Sequence, residues 1–202
     1  MTRGSSRFTV LKRRVDDLAR RLLSFLPPPP ASKTTYTPKE IDLTCAFVVL
    51  VHAEIEEFCE EIVTEKAKKA LGKSQTLGRT TPVLRRIVAF HVGKEKKSWS
   101  EVLSPSPLIV ESASNSYFGA VRENHGVKRK NLEHLLYPLG MTEPQLDPTW
   151  LVQMDSFGSA RGRFAHKSIR AFNPPDPYSE LTNVKQLLNG LLLLDRMLSR
   201  LR

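Results

Sequence analysis

The stretch TPKEIDLTCAFVVLVHAEIEEFCEEIVTEKAKKALG, Thr37 to Gly72, decides the fold class. Thr37, Pro38 and Glu40 stand in the N-cap, first-turn proline and N3 positions of a capping box, so a helix opens here. Ile41, Cys45, Val48, Val51 with His52, Ile55, Phe58 with Cys59, and Ile62 then recur at three- and four-residue steps as one inner stripe. Around Ala46 to Val51 the apolar band is wide enough to meet neighbours on more than one side, which marks the central helix of a bundle. Gly72 is its expected stop, followed by a polar turn to Arg79.

Helical periodicity continues on both sides. Phe8, Leu11, Val15, Leu18, Leu22 and Phe25 form a narrow seam over residues 7 to 26. Pro27 to Pro30 cannot be helical and make a stiff spacer, so the expected organisation is an N-terminal helix with a Pro-rich linker, residues 1–37, and a helical domain, residues 38–202. Pro82 starts a short helix that carries Val83, Ile87 and Phe90 inward. After the lysine run Lys94 to Lys97 and the breakers Ser104 to Pro107, an amphipathic segment extends from Leu108 to Arg122. Asn124-His125-Gly126 is a turn before a helix from Asn131 to Leu136. Asp147 and Pro148 cap the next helix, on which Trp150, Met154, Phe157, Arg161 and Phe164 share a stripe. The last carries Val184, Leu187, Leu191, Leu194, Leu198 and Leu201 at heptad spacing, a seam that completes the core or pairs subunits. No convincing β alternation occurs. The expected fold is an all-α bundle of about five to seven helices.

A formal charge of +10 in 202 residues points to an anionic partner, nucleic acid first and a membrane surface second. Seven Lys/Arg against two Asp between Arg3 and Arg21 supply about half of that charge, on a helix whose polar faces are otherwise simply solvated. Cys45 and Cys59 are about 21 Å apart along one helix, too far to bridge, which suits a reduced, cytoplasmic chain. No signal peptide is visible, and the longest strongly apolar run, Cys45 to Val51, is far short of a membrane span. Gly-rich phosphate loops, Cys/His zinc spacings and serine-nucleophile motifs are missing from the sequence, so no cofactor is expected.

Arg161 falls on an apolar stripe, and a guanidinium in that position needs a carboxylate, a helix end or a phosphate beside it. Gly158 and Gly162, one turn apart, flatten a face for close approach. On the central helix His52, Glu56 and Glu60 follow at one-turn intervals. A metal site is one reading of that trio; a carboxylate that steadies Arg161 is the more economical one.

Arg161 and His166 form an R-x4-H motif within SARGRFAHKS, Ser159 to Ser168. With HAEIEEFCEEI from His52, ENHGVKRKNLEHLLYPLGM from Glu123 and the leucine-rich ending, this resembles the RiboL-PSP branch of the HEPN superfamily over most of residues 40 to 200. The resemblance implies a metal-independent endoribonuclease in which Arg161 and His166 are catalytic and two motifs face each other across a homodimer. Glu56 and Gly162 are the expected supporting residues, Gly162 replacing the polar residue that many HEPN motifs place after the arginine. Arg163 and Lys167 are the expected RNA contacts, whereas His125 and Lys128-Arg129-Lys130 read first as a structural signature. Residues five apart on a helix differ by about 140° and about 7.5 Å, so Arg161 and His166 do not share a face within one chain, which gives a dimer a reason. A toxin–antitoxin, abortive-infection or other defence setting would add an antitoxin or defence-system partner. The alternative is a non-catalytic RNA-binding or dimerising HEPN module.

Overall fold

The computed structural model describes residues 4–27, 33–78, 80–94, 105–166 and 173–201. Among these the chain forms seven α-helices and no strand: α1 (Ser6–Leu22), α2 (Pro38–Leu77), α3 (Pro82–Lys94), α4 (Pro107–Arg122), α5 (Arg129–Leu136), α6 (Pro148–His166) and α7 (Pro177–Arg200). Short 3-10 turns at Tyr137–Leu139 and Glu143–Gln145 bridge α5 to α6. No helix among the described residues is long and apolar enough to cross a membrane.

The 40-residue α2 is the axis, in contact with every other α-helix. Its capping box forms as the sequence requires: Glu40 N–H donates to Thr37 Oγ1 (3.3 Å) and Thr37 N–H to Glu40 Oε2 (2.8 Å). Hydrogen bonds from Lys33 and Thr37 hold the Glu40 carboxyl below its usual pKa. Phe47, Val48, Val51, Ile55, Phe58, Cys59, Ile62 and Val63 are all buried, more than one stripe wide, because helices pack on opposite sides of α2. Burial pushes the free Cys45 thiol to about 11 and the free Cys59 thiol to about 12, so neither is a ready nucleophile.

The helix does not stop at Gly72. It runs to Leu77 and ends at Gly78, whose φ of +62° is the left-handed cap. Glycine lowers helix propensity by about 1 kcal/mol without forcing a stop, and only Gly78 adopts the backbone that terminates the ladder. On α3, Val83 and Ile87 point inward as expected, but Phe90 is 38% exposed; Leu84, Val88 and Val92 fill the core instead. Most of the expected proline spacer and of the lysine run after Lys94 lies outside the described residues.

α1 lies on the same core. Phe8, Leu11, Val15 and Leu18 are buried, and the Phe8 and Phe58 rings meet edge-on at 6.0 Å. Ser5 N–H donates to the buried Asp195 of α7 (2.8 Å), while Arg7 pairs with Glu61 and Arg14 with Glu54 of α2 (2.9 Å). The α7 leucine seam is core: Val184, Leu187, Leu191, Leu194 and Leu198 are buried.

α6 and α7 are indexed by an aromatic over a glycine. Trp150 Nε1–H donates to the Leu187 carbonyl (3.3 Å), and its indole lies so close over Gly190 that a Cβ there would run into it. By contrast, nothing lies within 4 Å of a Cβ built on Gly72. Two alanine substitutions should therefore differ in sign: Gly190→Ala should destabilise by about 1–3 kcal/mol through overpacking, and Gly72→Ala should stabilise by about 0.5–1 kcal/mol. Urea unfolding of both variants checks this, and equal effects would contradict the assigned packing.

Candidate functional site

The site is built where α6 crosses α2. Asp147 caps α6, accepting from the Thr149 (2.8 Å) and Trp150 (3.3 Å) N–H groups, and Trp150, Met154 and Phe157 then bury one stripe. Arg161 continues that stripe and is half-buried. Its Nε is fully enclosed and has no hydrogen-bond partner among the described residues. A buried donor without an acceptor costs on the order of 1–3 kcal/mol, and the fold leaves this Nε unsatisfied.

α2 supplies its surroundings. His52, 4% exposed, stacks on Phe157 (centroids 5.9 Å apart, 27° between planes). Burial first, and the positive charge of Arg161 second, lower its pKa to about 4, so the imidazole is neutral at physiological pH. Its Nδ1 lies 3.6 Å from Glu56 Oε2, beyond hydrogen-bond reach, and also has no partner. Glu56 is raised above its ordinary carboxyl value by burial and by the like charge of Glu60. The Gly126 N–H, Arg161 and His125 pull the other way.

A loop between α4 and α5 closes the edge. Asn124 Nδ2 donates to Glu60 Oε1 (2.9 Å) and to the Gly126 carbonyl (3.0 Å), and Asn131 Nδ2 donates to Asn124 Oδ1 (3.1 Å). Gly126, at φ +140°, brings its N–H to Glu56 in a conformation closed to most side chains. Just beyond, Arg129 N–H donates to Asp155 of α6 (2.8 Å). This clamp escaped the sequence reading, since only an Asn-rich turn followed by Asn131 hinted at it.

The expected site residues separate spatially. Arg161 lies near enough to Glu56 and His52 for its charge to act on both. Arg163 is exposed and turns towards α7: it sits 6.0 Å from the Phe164 ring centroid, and its charge acts on Glu180, whose carboxyl burial pushes up. His166 is exposed at the end of α6, and Lys167 lies outside the described residues. The two glycines differ. Gly158 is covered by the aliphatic stem of Lys128, a Cβ there coming within 2.8 Å of Lys128 Cγ, so a side chain rather than a backbone makes the close approach; Gly162 has nothing within 4 Å. No three His, Cys, Asp or Glu among the described residues are grouped to hold a metal ion.

His52 makes folding acid-sensitive. Its folded pKa of about 4 lies below the ordinary 6.5, so its contribution is complete above pH 6.5 and is lost as pH falls towards 4. Glu56, raised in the fold, protonates there before it does in the unfolded chain and offsets part of the loss. Replacing His52 with Phe keeps a ring on Phe157 and removes the proton site. In urea unfolding at pH 7 and pH 5, His52→Phe should lose up to about 2 kcal/mol less than the parent chain on acidification; equal losses would show that His52 is not what makes the fold acid-sensitive.

No curated protein and no solved structure matches the chain. The sequence model of one family, RiboL-PSP-HEPN, does match, over residues 12–190, from inside α1 to within α7. That span takes in the α2 edge, the Asn124–Gly126 clamp and the whole of the Arg161 helix. The chain belongs to the RiboL-PSP-HEPN family.

Proposed function

We propose that the protein is a metal-independent endoribonuclease that cuts single-stranded RNA by attack of a ribose 2′-hydroxyl on the adjacent phosphate. The observation that carries the reading is a half-buried Arg161 whose Nε is enclosed and unpartnered, flanked by a neutral His52 and by a Glu56 shifted towards protonation. That environment leaves the arginine's positive charge under-compensated, which suits an anion arriving from solvent. Its planar donors fit the nonbridging oxygens of a phosphorane-like transition state, where charge accumulates.

His166 is exposed and an imidazole can accept the 2′-hydroxyl proton as the oxygen attacks phosphorus. The P–O5′ bond breaks, the 5′-oxygen takes up a proton, and the products are a 2′,3′-cyclic phosphate and a 5′-hydroxyl. Glu56 orients Arg161, Gly162 leaves the face open, and Arg163 and Lys167 hold the strand. Because Arg161 turns inward to α2 while His166 is exposed, a homodimer that sets one subunit's motif against the other's makes the complete cleft. A cytoplasmic defence role with an antitoxin or similar regulator fits an RNA-cutting activity that the cell must restrain.

The purified protein should cut single-stranded RNA in EDTA, spare the matching DNA and leave cyclic-phosphate ends. Arg161→Ala and His166→Ala should each lower the rate by about 10²–10⁴, with Arg161→Lys a poor rescue because a point charge does not reproduce the fork. Full cleavage by both alanine variants would end the reading, while salt-sensitive RNA binding without cleavage in the parent chain would favour a non-catalytic RNA-binding module. Glu56→Gln should slow cleavage more than Glu65→Gln, since Glu65 is a solvated partner of Arg7; equal effects would leave Glu56 without a part in cleavage. Sedimentation should show a dimer at micromolar concentration, and a fully active monomer would remove the composite cleft.

A further inference from the structure

Cleavage by 2′-hydroxyl attack needs two proton transfers, one from the nucleophile and one to the leaving 5′-oxygen. This inference rests on the nuclease reading above. His52, the imidazole nearest in chain position to Glu56, is enclosed and kept neutral, so it neither meets solvent nor carries a proton to give.

The Asn124–Gly126 loop presents another. His125 is exposed, yet the residues on both sides of it are fixed: Asn124 to Glu60 at 2.9 Å and to Asn131 at 3.1 Å, Gly126 to Glu56 through its N–H. Side chains in loops usually lose considerable rotamer and backbone freedom on binding, and here the backbone part is already spent. The anchoring points are two α2 carboxylates, and one of them, Glu56, feels the charges of both His125 and Arg161, so the clamp keeps an exposed imidazole on the same edge of α2 that Arg161 faces. We propose that His125 is a catalytic residue of this site, the proton donor to the 5′-oxygen as the P–O5′ bond breaks. In the step, the 2′-hydroxyl proton passes to His166, the O2′–P bond forms, the P–O5′ bond breaks, and His125 releases its ring proton to O5′ and becomes neutral. Solvent then restores both protonation states. The charges of His125 and of Arg161 from α6 both act on Glu56 of α2, and Glu123, Lys128 and Arg129 flank His125 along the chain.

The test compares ordinary RNA with an oligonucleotide of the same sequence whose scissile 5′-oxygen is replaced by sulfur, a leaving group that departs without protonation. His125→Ala and His125→Gln should cut ordinary RNA about 10²-fold or more slowly in kcat with little change in KM, and should cut the 5′-thio substrate nearly as fast as the parent chain. Their kcat/KM against pH should lose the alkaline descent that a required acid imposes. His166→Ala should stay slow on both substrates. Equal loss on both substrates with an unchanged pH profile, or no loss at all, would overturn the role of His125, leaving the nuclease reading intact provided Arg161→Ala and His166→Ala remain impaired. Should those two variants cut as the parent does, or the parent cut neither substrate, the nuclease reading and this inference fall together. Matching unfolding curves for His125→Ala, His125→Gln and the parent separate chemistry from folding.

Discussion

An unbroken α2 is the constraint on which the architecture depends. A helix of 40 residues extends about 60 Å, and the other six helices bury their stripes against it. Its faces are divided. One receives α1 through Phe58 and the carboxylates of Glu54 and Glu61; another presents His52, Glu56 and Glu60 to α6 and to the loop before α5. Because those three side chains lie one turn apart on a rigid rod, whatever they hold is held at fixed spacing.

That division explains how a basic protein can build a site around acidic residues. Glu56 and Glu60 do not neutralise Arg161 by direct pairing. They are partly taken up by backbone and amide donors from Asn124 and Gly126, and burial draws Glu56 towards its uncharged form. His52, stacked on Phe157 and neutral, adds no competing charge. On the proposed reading the guanidinium keeps most of its field for a ligand, while the loop gains an anchor. A stronger carboxylate pair would make a better salt bridge and, on that reading, a poorer phosphate site.

Much of this was legible in the sequence because it is written locally. Capping residues, apolar spacing and Pro/Gly punctuation located the helices, and the His52–Glu56 step put both side chains on one edge of α2. What was not legible is non-local or a matter of degree. Gly72 resembles Gly78 in the sequence, and only the backbone angle separates a tolerated glycine from a terminating one. Phe90 is more apolar than its surroundings need, and the core took the three aliphatic side chains beside it. The Asn124–Glu60 and Asn131–Asn124 bonds join residues from separate helices and a loop, and no periodicity announces a side-chain amide meeting a carboxylate 64 residues away. The apolar stripe marked Arg161 as inward-facing, but that Arg163 leans to α7 follows from packing alone.

The Trp150 indole resting on Gly190 has a reach beyond its own contacts. Trp150 and Arg161 are eleven residues apart, three helical turns to within about 20°, so they lie on one line about 16 Å long down α6. The indole acts as an index pin: its bond to the Leu187 carbonyl and the bare backbone beneath it leave α6 one azimuth against α7. Any rotation permitted at the pin would appear undiminished at the guanidinium, sweeping it along an arc whose radius is the length of an arginine side chain. Tolerance for the aim of that side chain is thus set at the opposite end of the helix, three turns from the guanidinium itself.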